Sequence, residues 1–298
     1  LEDGAWPGFT GESDTGITID AVLALASARN AGAEVNLSKA LRYLEKNGKT
    51  YAETSSGAAA KLVLALKAVD QDPREFGGID AFAIATDDYN VETKLYGNGV
   101  YDTALVMLAY GAMRRTGPDR IIETLTKLQI EDGSWAFDGT TELGNGDTNT
   151  TAMVVQAMTR LKRGDDPMIA KALAFLKTTR QEGGFPFQGG ELATADANST
   201  GVVAQALIAT GQDLVGGEWG DVVSDLAAFQ NGDGSFSYMV EPRDANLYAS
   251  VQMLPAVAGQ AFPILWQRDY DKIAALPTCT PVQLATPVAD EDELACAA

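Results

Sequence analysis

Two kinds of apolar segment alternate along this chain. The first is apolar on nearly every side and rich in Ala, Gly and Val. Such stretches follow Asp14-Thr15-Gly16, Ser55-Ser56-Gly57, Tyr101-Asp102-Thr103, Asp147-Thr148-Asn149, Asp196-Ala197-Asn198 and Asp244-Ala245-Asn246. Asp, Ser and Thr side chains accept hydrogen bonds from the free N–H groups at a helix start, so each reads as an N-cap opening a helix. A helix that is apolar all round is buried. The second kind carries a charge every few residues and keeps one apolar face, such as Ile121, Leu125 and Leu128, or Leu173, Phe175 and Leu176. It predicts amphipathic helices over 36–46, 78–85, 118–129, 167–179, 219–230 and 265–276. Pro opens two of these, at 118 and 167, where its missing N–H costs nothing. The pattern is six buried inner helices, each covered by an outer one.

Aromatic turns punctuate the pattern. Gln129-x-x-Asp132-Gly133-Ser134-Trp135 and Gln230-x-x-Asp233-Gly234-Ser235-Phe236 are full copies of one motif. Asp3-Gly4-Ala5-Trp6 and Glu182-Gly183-Gly184-Phe185 are looser copies, and Asn47–Tyr51 and Thr93–Gly97 looser still. The aromatics at 6, 51, 96, 135, 185 and 236 are separated by 45, 45, 39, 50 and 51 residues. Periods in this range belong to repeat architectures. The units begin with a turn and end with an outer helix. Each internal outer helix runs into such a turn, so segment 265–276 is expected beside Trp6. An open solenoid would carry polar caps at its ends; units that complete one another predict a closed ring.

The Gln-x-x-Asp-Gly-Ser-Trp turn, the six two-helix units and the Asp-Thr-Asn-Thr-Thr-Ala helix start together resemble the squalene cyclase and protein prenyltransferase superfamily. The resemblance covers about residues 1–277. It implies an all-α fold, an α/α toroid with six inner helices around a funnel and six outer helices around them, followed by an irregular tail over 278–298. Cobalamin carriers of the intrinsic factor type and complement thioester domains share that toroid, so it does not imply one function.

The net charge of −19 argues against nucleic acid or an anionic membrane as partner, since both need basic surface. No apolar run reaches the ~18 residues of a membrane span. Cys279 and Cys296 are the two cysteines. They lie in a Pro/Thr-rich, acidic tail and are either a disulfide in an oxidising compartment or two free thiols. The start at Leu1, the tail composition and the cysteine placement together predict an exported or cell-surface protein, complete or one module of a longer chain.

The chain has no histidine. That excludes Ser-His-Asp and Cys-His catalysis and histidine ligation of zinc. The Asp/Cys/His zinc set of the prenyltransferases therefore has no counterpart. The Asp-x-Asp-Asp acid of class II terpene cyclases and the thioester Cys-Gly-Glu-Gln are also missing. Asp87-Asp88-Tyr89-Asn90-Val91-Glu92 only loosely resembles the metal–diphosphate motif of class I synthases. No motif calls for a cofactor or a metal.

Candidate site residues come from the inner helices. Asp147, Asn149, Asp196, Asn198, Asp244 and Asn246 sit at helix starts that meet at one mouth of a toroid. Helix capping alone accounts for their repetition; the alternative is a polar ring binding a ligand at electropositive helix ends. Gln156, Gln205 and Gln252 fall at corresponding places, and a buried amide needs a partner, in a neighbouring helix or in the cavity. Tyr101, Tyr110, Tyr248, Met107, Met153 and Met253 are further candidate lining, or ordinary core. The expected function is a non-catalytic protein that binds, at this cavity or at the mouth of the inner helices, a small apolar or flat ligand or another surface protein. The alternatives are a divergent enzyme acting on an isoprenoid and a structural or adhesion module.

Overall fold

The computed structural model describes residues 1–190 and 193–266. Inner helices α1 (Thr15–Asn30), α3 (Ser56–Ala68), α5 (Val100–Ala112), α7 (Thr148–Arg160), α9 (Ala197–Ala209) and α11 (Leu247–Val257) alternate with outer helices α2 (Ser38–Ala52), α4 (Ala81–Asp87), α6 (Asp119–Leu128), α8 (Pro167–Thr179) and α10 (Val222–Ala228). Each inner helix packs on the inner helix before and after it, and α11 packs on α1. The inner helices therefore close into a ring, and the fold is an α/α toroid. The expected sixth outer helix falls at 265–276; Leu265 and Trp266 are not helical, and its remainder lies outside the described residues, as do Cys279, Cys296 and the 278–298 tail.

Side-chain caps start five of the six inner helices. Asp14, Ser55, Asp147, Asp196 and Asn246 each accept from the backbone N–H three residues on. The sixth, α5, begins earlier than Tyr101-Asp102-Thr103 predicts, with Gly99 as its cap. At the last repeat the cap is Asn246, not Asp244, which is exposed in the loop before it. Pro167 occupies the first turn of α8 beside its Asp166 cap, as the sequence predicts.

One hydrogen-bond device recurs in five repeats. Four residues after the cap, a Thr or Ser hydroxyl accepts from the backbone N–H of the turn aromatic: Thr18 from Trp6, Thr103 from Tyr96, Thr151 from Trp135, Thr200 from Phe185 and Ser250 from Phe236, all at 2.9–3.1 Å. The hydroxyl pins the turn to the helix it precedes. Trp135 is fully buried and donates from Nε1 to the Leu125 carbonyl at 2.8 Å. Gln129 of the same turn donates to the Met168 carbonyl, so the turn ties α6, α7 and α8 together. Gly133 has φ +95°, and a Cβ there would lie 2.3 Å from the Lys171 carbonyl oxygen; Gly4 repeats this against Lys39 at 2.4 Å. Only glycine fits such an approach.

The second repeat lacks the device. Asn47–Tyr51 lies inside α2 and is not a turn. Ala59 stands where the other repeats carry Thr or Ser. The anchor for a turn is gone, and the outer helix runs straight on to Ala52. Gly48 instead lets α2 approach α3, with Leu62 3.3 Å from where its Cβ would be.

Closure between first and last repeats joins a small apolar cluster, Ala21, Ala24 and Val251 with Trp6, Leu247 and Leu254 packed on it, to a polar latch. Asn30 donates from Nδ2 to Gln260 Oε1 (3.1 Å) and the Leu265 carbonyl (2.8 Å), and Gln260 donates to the Ser27 carbonyl at 2.8 Å. The Arg29 guanidinium lies 3.7 Å from the Trp266 ring centroid. These contacts bind the segment after α11 to the end of α1.

Candidate functional site

Counting from each cap gives the site its register. Residues two, six and nine positions after the cap share one face of a helix, because side chains three and four apart are stacked neighbours. The six residues at the sixth position are Asp20, Lys61, Leu105, Met153, Val202 and Gln252, one from each inner helix, and all six line a central cavity. The mouth tier adds Tyr101, Asn149 and Asn198 from the second position. The deep tier adds Leu23, Leu64, Gln205 and Pro255 from the ninth. Only Val251 and Phe262 join from outside this register. Equal depth at equal distance from the cap means that the six inner helices run parallel, with their N-termini at one mouth.

The free space between lining atoms, mouth included, is about 630 Å³, and the volume open to the centres of water molecules is about 70 Å³. One water centre needs ~10–15 Å³, so the cavity holds a handful of waters or a small solute. Its lower end is crossed by the segment after α11. Phe262 lines the cavity there, and its N–H donates to Gln156 Oε1 at 2.9 Å.

The two walls differ. On the α1–α3 wall the Lys61 ammonium lies 2.7 Å from Asp20 Oδ1, with 26% and 16% of the two side chains exposed. Burial opposes the lysine's charge, but the Asp20 carboxylate together with Tyr51 and Tyr101 outweighs that, and the net shift of Lys61 is upward. Lys61 is thus a firmly protonated donor and no nucleophile. Burial raises the Tyr101 hydroxyl, which stays neutral. Gly16 on the same wall lets the Tyr51 ring approach to 3.2 Å from where a Cβ would stand.

The facing α7–α9–α11 wall carries amides: Asn149, Asn198, Gln205 and Gln252. Gln205 is 2% exposed, and its Nε2 makes a long 3.4 Å bond to the Gln252 carbonyl. Its Oε1 and the Oδ1 of Asn198 are buried with no hydrogen-bond partner among the described residues. An unsatisfied buried acceptor costs ~1–3 kcal/mol. Two of them on residues of one cavity wall is the most unusual feature of the site.

The structure divides the sequence-predicted residues. Tyr101, Asn149, Asn198, Gln205 and Gln252 meet at the cavity. Asp147 and Asp196 are buried caps, accepting from Thr150 and Ser199 N–H, and burial raises both carboxyl pKa values. Asn246 is likewise a cap, and Asp244 is in the loop. Gln156 is fully buried and spans helices to the Val202 carbonyl and Phe262. Tyr248 stacks at the rim on Phe9, centroids 4.0 Å apart. Tyr110 is on the far side of α5, edge-on to Phe82; burial and its hydrogen bond with Tyr96 push its pKa up to about 12. Met107 and Met253 are core, and Met153 lines the cavity. Asp87 and Asp88 are exposed and line no part of it. Asp20 and Lys61 escape the sequence reading because they look like stray charges in apolar runs. The register from Asp14 and Ser55 was the signal that would have paired them.

Among the described residues, no group of three or more His, Cys, Asp and Glu side chains is placed to hold a metal ion. No described helix is long and apolar enough to cross a membrane.

No family model and no curated protein sequence matches the chain. The likeness is to solved structures, and it is one of fold. Protein geranylgeranyltransferase-I of Candida albicans, complexed with GGPP, is 12% identical with a TM-score of 0.61, covering 89% of this chain and 93% of that one. Haptocorrin in complex with Cbi is 17% identical with a TM-score of 0.56, covering 83% of this chain. Only 63% of the haptocorrin chain is spanned. Unsaturated glucuronyl hydrolase from Bacillus sp. GL1 is 14% identical with a TM-score of 0.57, covering 82% and 85%. A geranylgeranyltransferase, a glucuronyl hydrolase and a protein bound to Cbi thus share this fold.

Proposed function

We propose that this toroid is a non-catalytic binding protein, exported or displayed at a cell surface, that takes a small polar ligand in its central cavity. The observation that carries this is a pair of amides in the cavity wall, Asn198 and Gln205, whose buried Oδ1 and Oε1 have no hydrogen-bond partner among the described residues. A buried acceptor left open is a strong discriminator for a hydrogen-bond donor. The ion pair and the amides of the middle and mouth tiers favour a polar solute over the apolar or flat one expected from Tyr and Met content. A cobalamin-sized molecule is far larger than the space.

The isoprenoid-enzyme alternative fares worse on the same lining. Cyclisation by protonation needs a carboxyl group kept acidic at the end of a long apolar pocket. Asp20, the carboxylate lining this cavity, is an ion-pair partner of Lys61. Ligand recognition rests instead on fixed donors and acceptors in a small preformed hollow, the usual character of such sites.

The test is isothermal titration of the protein against monosaccharides, polyols, amino acids and small amides, with Gln205→Leu alongside. The reading expects at least one solute bound with a Kd below about 1 mM and a loss of ten-fold or more in the variant. A panel in which nothing binds, or binding that Gln205→Leu leaves unaltered, would overturn it.

A further inference from the structure

Around the mouth stand four exposed aromatic rings at related places. Phe137, Phe187 and Tyr238 each lie two residues after a buried turn aromatic and are 48%, 48% and 44% exposed. Their backbone carbonyls accept from the first helical N–H of α5, α7 and α9: Val100, Thr148 and Ala197, at 2.8–2.9 Å. The rings are thereby held at the N-terminal rim of the inner helices, one per sector. Phe9, 86% exposed, completes the set at the α11–α1 sector by stacking on Tyr248 at 4.0 Å. Phe137 stacks in turn on Tyr101, which lines the cavity, with centroids 6.1 Å apart. The crown and the cavity are continuous.

We infer that the ligand is a neutral saccharide chain, its end residue in the cavity and its following residues laid on the aromatic crown. This rests on the preceding reading of the cavity and names the class of its ligand. The two tiers ask for opposite surfaces. The cavity wall carries amides whose acceptors, Asn198 Oδ1 and Gln205 Oε1, have no partner among the described residues and match hydroxyl donors. The rim presents flat, electron-rich ring faces, which take weakly positive C–H faces. A pyranose carries both, hydroxyls at its edge and a C–H face on its plane. Charge selects the neutral kind. Lys61 is engaged by Asp20, and the protein carries a net charge of −19, so a polyanionic chain would meet repulsion. The aromatics are spaced round the rim, one to a sector, and each lies beside a polar helix start. A continuous apolar patch would instead mark a protein partner.

The experiment is titration of the protein with cellotetraose, maltotetraose and chitotetraose, and with the corresponding monosaccharides. It is repeated on Phe187→Ala/Tyr238→Ala, on Phe187→Trp and on Gln205→Leu. At least one tetrasaccharide is expected to bind ten-fold or more tightly than its monosaccharide. The double alanine variant should erase that difference, Phe187→Trp should keep it, and Gln205→Leu should weaken both sugars. Because the rim rings are exposed, melting curves of the rim variants should overlay the parent, separating lost binding from lost fold. If an amino acid or amide binds in a Gln205-dependent way and no sugar does, the saccharide inference is wrong and the cavity reading stands. If no solute of any class binds, both fall. Tetrasaccharide binding unchanged in the double alanine variant removes the crown from the account.

Discussion

The two halves of the ring obey one register with different residues. In the C-terminal half, turn aromatics Trp135, Phe185 and Phe236 are at most 3% exposed, the caps are Asp147, Asp196 and Asn246, and the lumen carries amides. In the N-terminal half, Trp6 and Tyr51 are half-buried, one turn is absorbed into α2, and one cap is Gly99. Yet that half places the charged pair in the lumen. The turns are most regular in the C-terminal half, and the strongest charge chemistry stands where the consensus is loosest. The charged wall satisfies itself; the amide wall does not. That difference assigns rigidity to one wall and recognition to the other.

The largest expected effect tests the scaffold side of this contrast. Trp135→Ala should cost about 3–5 kcal/mol in urea unfolding, the range for a fully buried aromatic. The same change at Trp6, which is half-buried, should cost about half as much, roughly 2 kcal/mol. Equal losses at the two positions would erase the difference between the halves.

Next comes the charged wall. Lys61→Met leaves the Asp20 carboxylate without its partner in a cavity wall. The cost should be about 3 kcal/mol, the low end for a broken buried pair, because a quarter of the lysine side chain is open. Asp20→Asn combined with Lys61→Met should recover most of it. A double-mutant cycle by chemical denaturation measures the coupling, and simple additivity would deny that the pair is a unit.

How much of this the sequence revealed depends on what each pattern encodes. The fold was legible because caps and amphipathic faces are local: α8 runs over 167–179 as expected, and α6 starts one residue after Pro118. The shorter α10, 222–228 against an expected 219–230, yields its start to a tight turn at Gly217–Trp219. The site was legible only in part, because it depends on register between helices far apart in sequence. Counting from Asp244 puts Gln252 about level with Gln205; counting from the true cap, Asn246, moves it one turn toward the mouth. The same counting turns Asp20 and Lys61 from scattered charges into neighbours. The crown was not legible, since exposed Phe137 and Phe187 look like any loop aromatic until the carbonyl bonds fix them at the rim.

A smaller effect tests the turn anchor. Thr151→Val removes the acceptor of the buried Trp135 N–H while keeping shape, and should cost about 1–2 kcal/mol. Thr18→Val, beneath the half-buried Trp6, should cost less, because the Trp6 side of the bond is partly open to solvent. Thermal melts of the two variants side by side give the ranking, and a reversed order would contradict the assignment.

The smallest effect is one of sign. Burial raises the Asp147 carboxyl pKa above its ordinary 3.8, against the hydrogen bonds from Thr150 and Asn149 that favour the charged form. The folded protein then holds this proton more tightly than the unfolded chain. The stability it contributes is full below pH 3.8 and is lost as pH rises through the folded value. Asparagine caps as well as aspartate and does not ionise, so Asp147→Asn should gain on the parent as pH rises through this range. Asp3 in the N-terminal half has the opposite sign. Hydrogen bonds from Ser13 and Ala5 lower its pKa below 3.8, so its contribution is present above that pH and lost as pH falls. Asp3→Asn should therefore lose ground to the parent as pH rises. Urea unfolding of both variants across the acid range reads the two slopes. Slopes of the same sign would mean that these two carboxylates do not differ in burial as described.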